Sequence, residues 1–135
     1  HEAAVDILKE NAGKPLSKIV ETISVEEFRA LRKRTNDMYV HDSIYEYIVT
    51  LVEKTRKDPY FAMGASPRGS IALLRMAKAM AVIDGRDYVC AKDVQDVARD
   101  VLGHRVKLSA RGKAQGITMQ QAIGMVIANV TAPRV

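Results

Sequence analysis

Apolar residues recur along this chain at the spacing of helices, not of strands. Ala3, Ala4, Ile7 and Leu8 share one face and predict a first helix, stopped near Gly13 and Pro15. Residues 18–23 alternate briefly, as a short extended segment would. Ser24-Val25-Glu26-Glu27 has the form of a capping box, in which serine and glutamate side chains satisfy each other's backbone N–H groups. It opens a second helix with Phe28, Leu31 and Met38 along one stripe. A third starts at His41 or Asp42 and carries Ile44, Ile48, Leu51 and Val52 at helical spacing. Residues 59–64 interrupt the pattern, and a fourth helix follows over about 67–84. Its apolar side chains, Ile71, Leu73, Leu74, Met76, Ala77, Met80, Ala81 and Ile83, cover most of its circumference. That predicts a central helix packed on several sides, with Met76 and Met80 as core filler.

Gly85 is the expected stop of the fourth helix, and residues 86–89 form a short extended link. Val94, Val97, Ala98, Val101 and Leu102 then make a strong amphipathic stripe. His104 and Arg105 at its end suit the helix dipole. Residues 107–116 are polar and contain glycine, so they read as a mobile connection. Thr118-Met119-Gln120-Gln121 is a second capping box, and it launches a last helix with Ala122, Ile123, Val126, Ile127 and Val130 inward. The expected fold class is all-α, a compact bundle of about six helices without a strand.

One helix start is anomalous. In Gly64-Ala65-Ser66-Pro67-Arg68-Gly69, Ser66 is a suitable N-cap and Pro67 a suitable first helical residue. Arg68 then places a cation beside the positive end of the macrodipole, where the other starts carry Glu26-Glu27 or Asp93. A charge so placed costs roughly 0.3–1 kcal/mol, little enough for a solvated arginine or one paired with a distant acid. A helix N-terminus with an added guanidinium is also half of an anion site, and phosphate is the natural anion. Arg75, seven residues on, lies about 20° further around the axis on the same strip.

Composition narrows the reading. At 135 residues, 47% hydrophobic and 27% charged, the chain suits one globular domain, and 5% aromatics without tryptophan require an aliphatic core. Cys90 is the single cysteine, which excludes an internal disulfide or a cysteine-based zinc site and suits a reducing cytoplasm. It stands at a cap position, where cysteine in place of a good cap costs about 0.5–2 kcal/mol. His1, His41 and His104 have no ligand partner at helical spacing, so no metal site is expected. No segment is apolar for long enough to span a membrane. The net charge of +5 comes from basic clusters spread over 29–34, 54–57 and 105–113. They lack interleaved aromatics for base stacking, so solvated faces are expected rather than a nucleic-acid surface, as they are for Asp96 and Asp100. No phosphate-cradling loop of P-loop type occurs. Ala81-Val82-Ile83-Asp84 imitates the end of a Walker B strand only superficially, within a helical pattern and before Gly85. The chain alone is not expected to hydrolyse ATP.

The run from Gly64 to Arg75, followed by Gly85-Arg86-Asp87-Tyr88-Val89, resembles the C-terminal lid of MoxR-family AAA+ ATPases. Tyr47-Ile48-Val49, the helix after Asp93, His104-Arg105 and Gly116-Ile117-Thr118 follow in the family's order. The resemblance is most specific over residues 41–105. It implies that residues 1–135 are a single AAA+ lid domain, a fragment of a longer ATPase whose α/β nucleotide-binding core lies upstream; a first residue His1 rather than Met fits that expectation. It further implies that Arg68 is the sensor 2 arginine reaching the terminal phosphates of ATP, that Gly64, Ser66 and Pro67 hold its helix start, and that Arg75 is a second contact to nucleotide or a neighbouring subunit. The cofactor implied is ATP, with Mg held by the core. The implied setting is a cytoplasmic ring oligomer, typically a hexamer, with chaperone-like action and von Willebrand factor A partners. Many such lids carry threonine where Cys90 stands. The competing reading is a stand-alone basic helical module that binds nucleic acid, resting on the net positive charge and the cluster from Arg29 to Arg34.

Overall fold

The computed structural model describes residues 1–12 and 22–134. Gly13, Pro15 and most of the brief alternation at 18–23 lie outside the described residues. The chain forms two compact units, His1–Ala30 and Leu31–Val135. The first contains α1 (Glu2–Asn11) and the opening of α2 (Val25–Asp37). The capping box is present: the Ser24 N–H donates to Glu27 Oε2 at 2.8 Å, and the Glu27 N–H donates to Ser24 Oγ at 3.2 Å. Those bonds hold the Glu27 carboxyl below its ordinary range. The stripe expected on α2 is not buried. Phe28 and Leu31 are exposed, and Met38 enters the core only beyond the helix end.

The second unit runs α3 (Asp42–Lys57), β1 (Phe61–Met63), α4 (Pro67–Ile83), α5 (Ala91–Gly103), β2 (Lys107–Leu108), α6 (Ala110–Ala114) and α7 (Met119–Ala128). The fold class is all-α as expected, with seven helices among the described residues. The extra helix, α6, lies in the segment expected to be a mobile connection. Ser109 explains why that segment is ordered. Its Oγ accepts from the Gly112 N–H at 3.2 Å and donates to the Pro59 carbonyl at 2.7 Å, while its N–H reaches the Tyr60 carbonyl at 2.8 Å. These bonds tie α6 to the loop after α3. The same tie brings β1 and β2 together as a minimal antiparallel pair, Phe61 opposite Leu108 and Met63 opposite Lys107. Runs of three and two residues are too short to show strand periodicity, so no strand was expected.

Helix α4 packs on α3 and α5 through Gly69, Leu73, Ala77 and Ala81, one residue per turn and mostly small. Small side chains bring the helix axes close, and Ile44, Leu51, Leu102 and Ile123 fill the centre with Leu73. The opposite face is open: Ile71 is 51%, Met76 46% and Ile83 76% exposed. The expectation of a helix packed on several sides, with Met76 as filler, is thereby corrected, whereas Met80 does lie against the core. Gly85 ends the helix at φ +76°, a left-handed conformation that L side chains adopt at a cost. The link after it is pinned beside the residues preceding α3. Tyr39 N–H donates to the Asp87 carbonyl at 3.2 Å, and Val89 N–H to the Tyr39 carbonyl at 3.1 Å.

Candidate phosphate-binding cleft

The site is assembled from the loop before α4. Thr55, fully buried on α3, accepts the Ala65 N–H at 3.0 Å while donating its own hydroxyl to the Val52 carbonyl at 2.6 Å. Arg56 Nε donates to the Ala65 carbonyl at 2.7 Å. Both polar groups of the Ala65 backbone are thus held by neighbouring residues of α3, and the loop has one position on that helix. Gly64 lies so close that a Cβ there would sit 2.6 Å from Arg56 N and Cα. The helix then begins as expected, with Ser66 in extended conformation at the cap and Pro67 in the first turn. The Ser66 hydroxyl, however, makes no cap hydrogen bond. Its backbone carbonyl does the joining instead, accepting the Gly69 N–H at 2.7 Å.

Arg68 follows, exposed, with no acid in the first turn of α4. It lines a cleft of about 680 Å³ between the first half of α4 and the end of α5. Ile71, Arg75 and Met76 come from α4, and Asp100, His104 and Arg105 from the other side. Arg68 and Arg75 therefore share one cleft. Its far wall was not legible as part of a site: Asp100 read as solvated, and His104 and Arg105 as complements to the dipole. His104 does serve that purpose, with Nδ1 3.2 Å from the Asp100 carbonyl in the last turn. The available signal for Arg105 was its position four residues after Val101, one turn beyond a buried side chain of α5.

Arg34, Arg86 and Arg111 of the second unit are committed to contacts within the fold. Arg34 donates to the carbonyls of Gly85 and Arg86 at 3.4 and 3.3 Å, and Arg111 lies over the Tyr60 ring at 5.8 Å. Arg86 bridges Asp84 and the buried Asp93. Burial pushes the Asp93 carboxyl up, but hydrogen bonds from Arg86 and Cys90 outweigh it and leave the group below its ordinary value. Asp93 Oδ2 also accepts the Cys90 N–H at 2.8 Å, so the α5 start is secured from the acid side and needs little from a weak cysteine cap. Arg68, Arg75 and Arg105, by contrast, make no side-chain hydrogen bond or ion pair among the described residues. Three unneutralised guanidinium groups facing one cleft, with Asp100 the lining acid, suit an oxyanion ligand.

Residues 53–124 match the family model described as the AAA lid domain, a span that holds Gly64 to Gly69 and both walls of the cleft. The chain belongs to the AAA lid domain family. The kinship of this lid is with MoxR proteins. It is 32% identical over 124 residues to the chaperone MoxR1 of Mycobacterium tuberculosis, covering 85% of this chain and 33% of that protein. It is 38% identical over 119 residues to the YeaC protein of Bacillus subtilis, covering 88% of this chain and 37% of that one. Among solved structures, a protein from Cytophaga hutchinsonii described as a candidate ATPase superposes with a TM-score of 0.78 at 29% identity. That match covers 98% of the lid and 43% of the solved chain. The lid thus spans roughly a third to two fifths of the length of these relatives. No helix among its described residues is long and apolar enough to cross a membrane.

Proposed function

We propose that this lid, taken over residues 1–135, closes over ATP held by the α/β core of a MoxR-like AAA+ ATPase, and that Arg68 is its sensor 2 arginine. The observation that carries the reading is a guanidinium in the first turn of α4 with no acid in that turn and no side-chain partner among the described residues, lining an open cleft. Such a group meets an anion that comes from outside the lid. Gly64 and Pro67 fix where Arg68 starts: Gly64 through its close approach to Arg56, Pro67 through its preset φ. Ser66 contributes its carbonyl to the same turn. Arg75, two turns along the same strip, is a second contact to nucleotide or to a neighbouring subunit. ATP supplies the phosphoanhydride whose hydrolysis drives the cycle, with its Mg held by the core. The guanidinium of Arg68 gains strength as closure excludes water from the cleft, and so couples phosphate state to lid angle.

In this reading the ATPase works as a cytoplasmic ring oligomer with chaperone-like remodelling activity, and von Willebrand factor A proteins are candidate partners. The nucleic-acid alternative draws less support from Arg34, whose guanidinium donates to two backbone carbonyls of the link after α4. The test is Arg68→Ala in the full-length ATPase. Removing a preorganised donor to a developing phosphate charge lowers turnover by about tenfold or more. Unchanged turnover together with unchanged ATP affinity refutes the sensor assignment.

A further inference from the structure

We propose that Arg105 is a second phosphate-contacting guanidinium of this cleft, engaging the polyphosphate of the same nucleotide from α5 while Arg68 engages it from α4. The inference rests on the reading of Arg68 given above. Three observations carry it.

Arg105 is held against the start of α4 and lines the same cleft as Arg68. It lies two residues beyond the end of α5, with its N–H donating to the Leu102 carbonyl at 2.8 Å. Its stem reaches the first turn of α4, since a Cβ on Gly69 would come within 3.9 Å of Arg105 Cδ. Gly69 is the residue next to Arg68, and the absence of a side chain there leaves room for the arginine stem. The stem of Arg105 therefore lies against the first turn of α4, the turn that carries Arg68.

Arg105 is also incomplete. Its Nε is buried and has no hydrogen-bond partner, and it is the buried side-chain polar atom in that condition among the described residues. A buried donor left unpaired carries a cost that an acceptor arriving from elsewhere would relieve. Asp100 lines the same cleft yet forms no ion pair with Arg105. Lastly, the charge is matched to a polyanion. Arg68, Arg75 and Arg105 together carry more positive charge than Asp100 or one further carboxylate would neutralise, whereas a triphosphate spreads several negative charges over fork-compatible oxygens.

The experiment measures binding of AMP-PNP and of adenosine to the full-length ATPase carrying Arg105→Met or Arg68→Ala. Arg105→Met keeps the apolar stem and removes the buried donor, so the melting temperature should not fall. AMP-PNP affinity should drop by about ten- to a hundredfold, the range for losing hydrogen bonds to a charged group, with adenosine affinity unchanged. Unchanged AMP-PNP affinity in Arg105→Met alongside a loss in Arg68→Ala overturns the role of Arg105 and leaves Arg68 standing. No loss in either variant refutes the phosphate reading of the whole cleft. Equal losses of AMP-PNP and adenosine overturn the proposal in favour of a contact to a core carboxylate. If Arg105→Met lowers the melting temperature, Arg105→Lys decides: a loss confined to AMP-PNP upholds the phosphate contact, and no loss or an equal loss overturns it.

Discussion

Arg56 and Gly64 are in mutual contact at the point where the lid's α3 meets the loop that launches α4. Arg56 Nε holds the carbonyl next to Gly64 at 2.7 Å, and a Cβ on Gly64 would come 2.6 Å from Arg56 N, Cα and Cγ. Two of those three atoms are backbone, which cannot rotate away as a side-chain tip can. Gly64→Ala is therefore expected to lower stability by about 1–3 kcal/mol, the usual range for overpacking a well-filled site. Urea unfolding with an unchanged slope checks it. Because the loop sets where Arg68 begins, the proposed sensor role adds the expectation that the same substitution weakens ATP binding by the full-length protein more than its stability loss would imply. A variant as stable as wild type would mean that the loop is free to move off α3.

The second prediction concerns acid. Asp93 is 2% exposed and bound to Arg86 and to the Cys90 N–H, which leaves its folded proton affinity below that of the unfolded chain. The group therefore contributes stability in full above the ordinary aspartate value near 3.8, and that contribution is lost as pH falls through its lower folded value. Stability measured between about pH 5 and pH 2 should fall more steeply in wild type than in Asp93→Asn. At neutral pH, Asp93→Ala should cost about 2 kcal/mol, because it uncaps α5 and leaves Arg86 with only the exposed Asp84 as its acid partner. Parallel pH profiles for wild type and Asp93→Asn would contradict the assignment.

Most of the helices were legible because each carries its own signal over ten or more residues. The stripe from Val94 to Leu102 is buried at every position, and the boxes at Ser24 and Thr118 form as read. The failures have a common physical source, which is that periodicity reports which residues are apolar and not what covers them. Ile71, Met76 and Ile83 are apolar and open, and Phe28 and Leu31 are too. The ordering of residues 107–116 depends on Ser109 reaching Pro59 and Tyr60, fifty residues back in the case of Pro59, a tie that no local window contains. The near wall of the cleft was legible in Arg68 and Arg75, from one helix. The far wall, and Arg105 with it, depends on how α5 crosses α4 and so required the structure.

Two cap residues that look alike in sequence should behave differently. Thr118 Oγ1 accepts the Gln121 N–H at 3.2 Å, and the Thr118 N–H donates to Gln121 Oε1 at 2.8 Å. Ser66 occupies the same position on α4, but its hydroxyl accepts nothing, since Pro67 fixes the turn and the Ser66 carbonyl takes the Gly69 N–H. Thr118→Ala should cost about 1 kcal/mol, the typical value of a cap that bonds. Ser66→Ala should stay within about 0.5 kcal/mol of wild type, as a substitution that breaks no contact does. Thermal melts of the two variants against wild type decide it. Equal losses would mean that the Ser66 hydroxyl turns to the helix in solution, and that the loop before Arg68 is held by its cap as well as by Thr55 and Arg56.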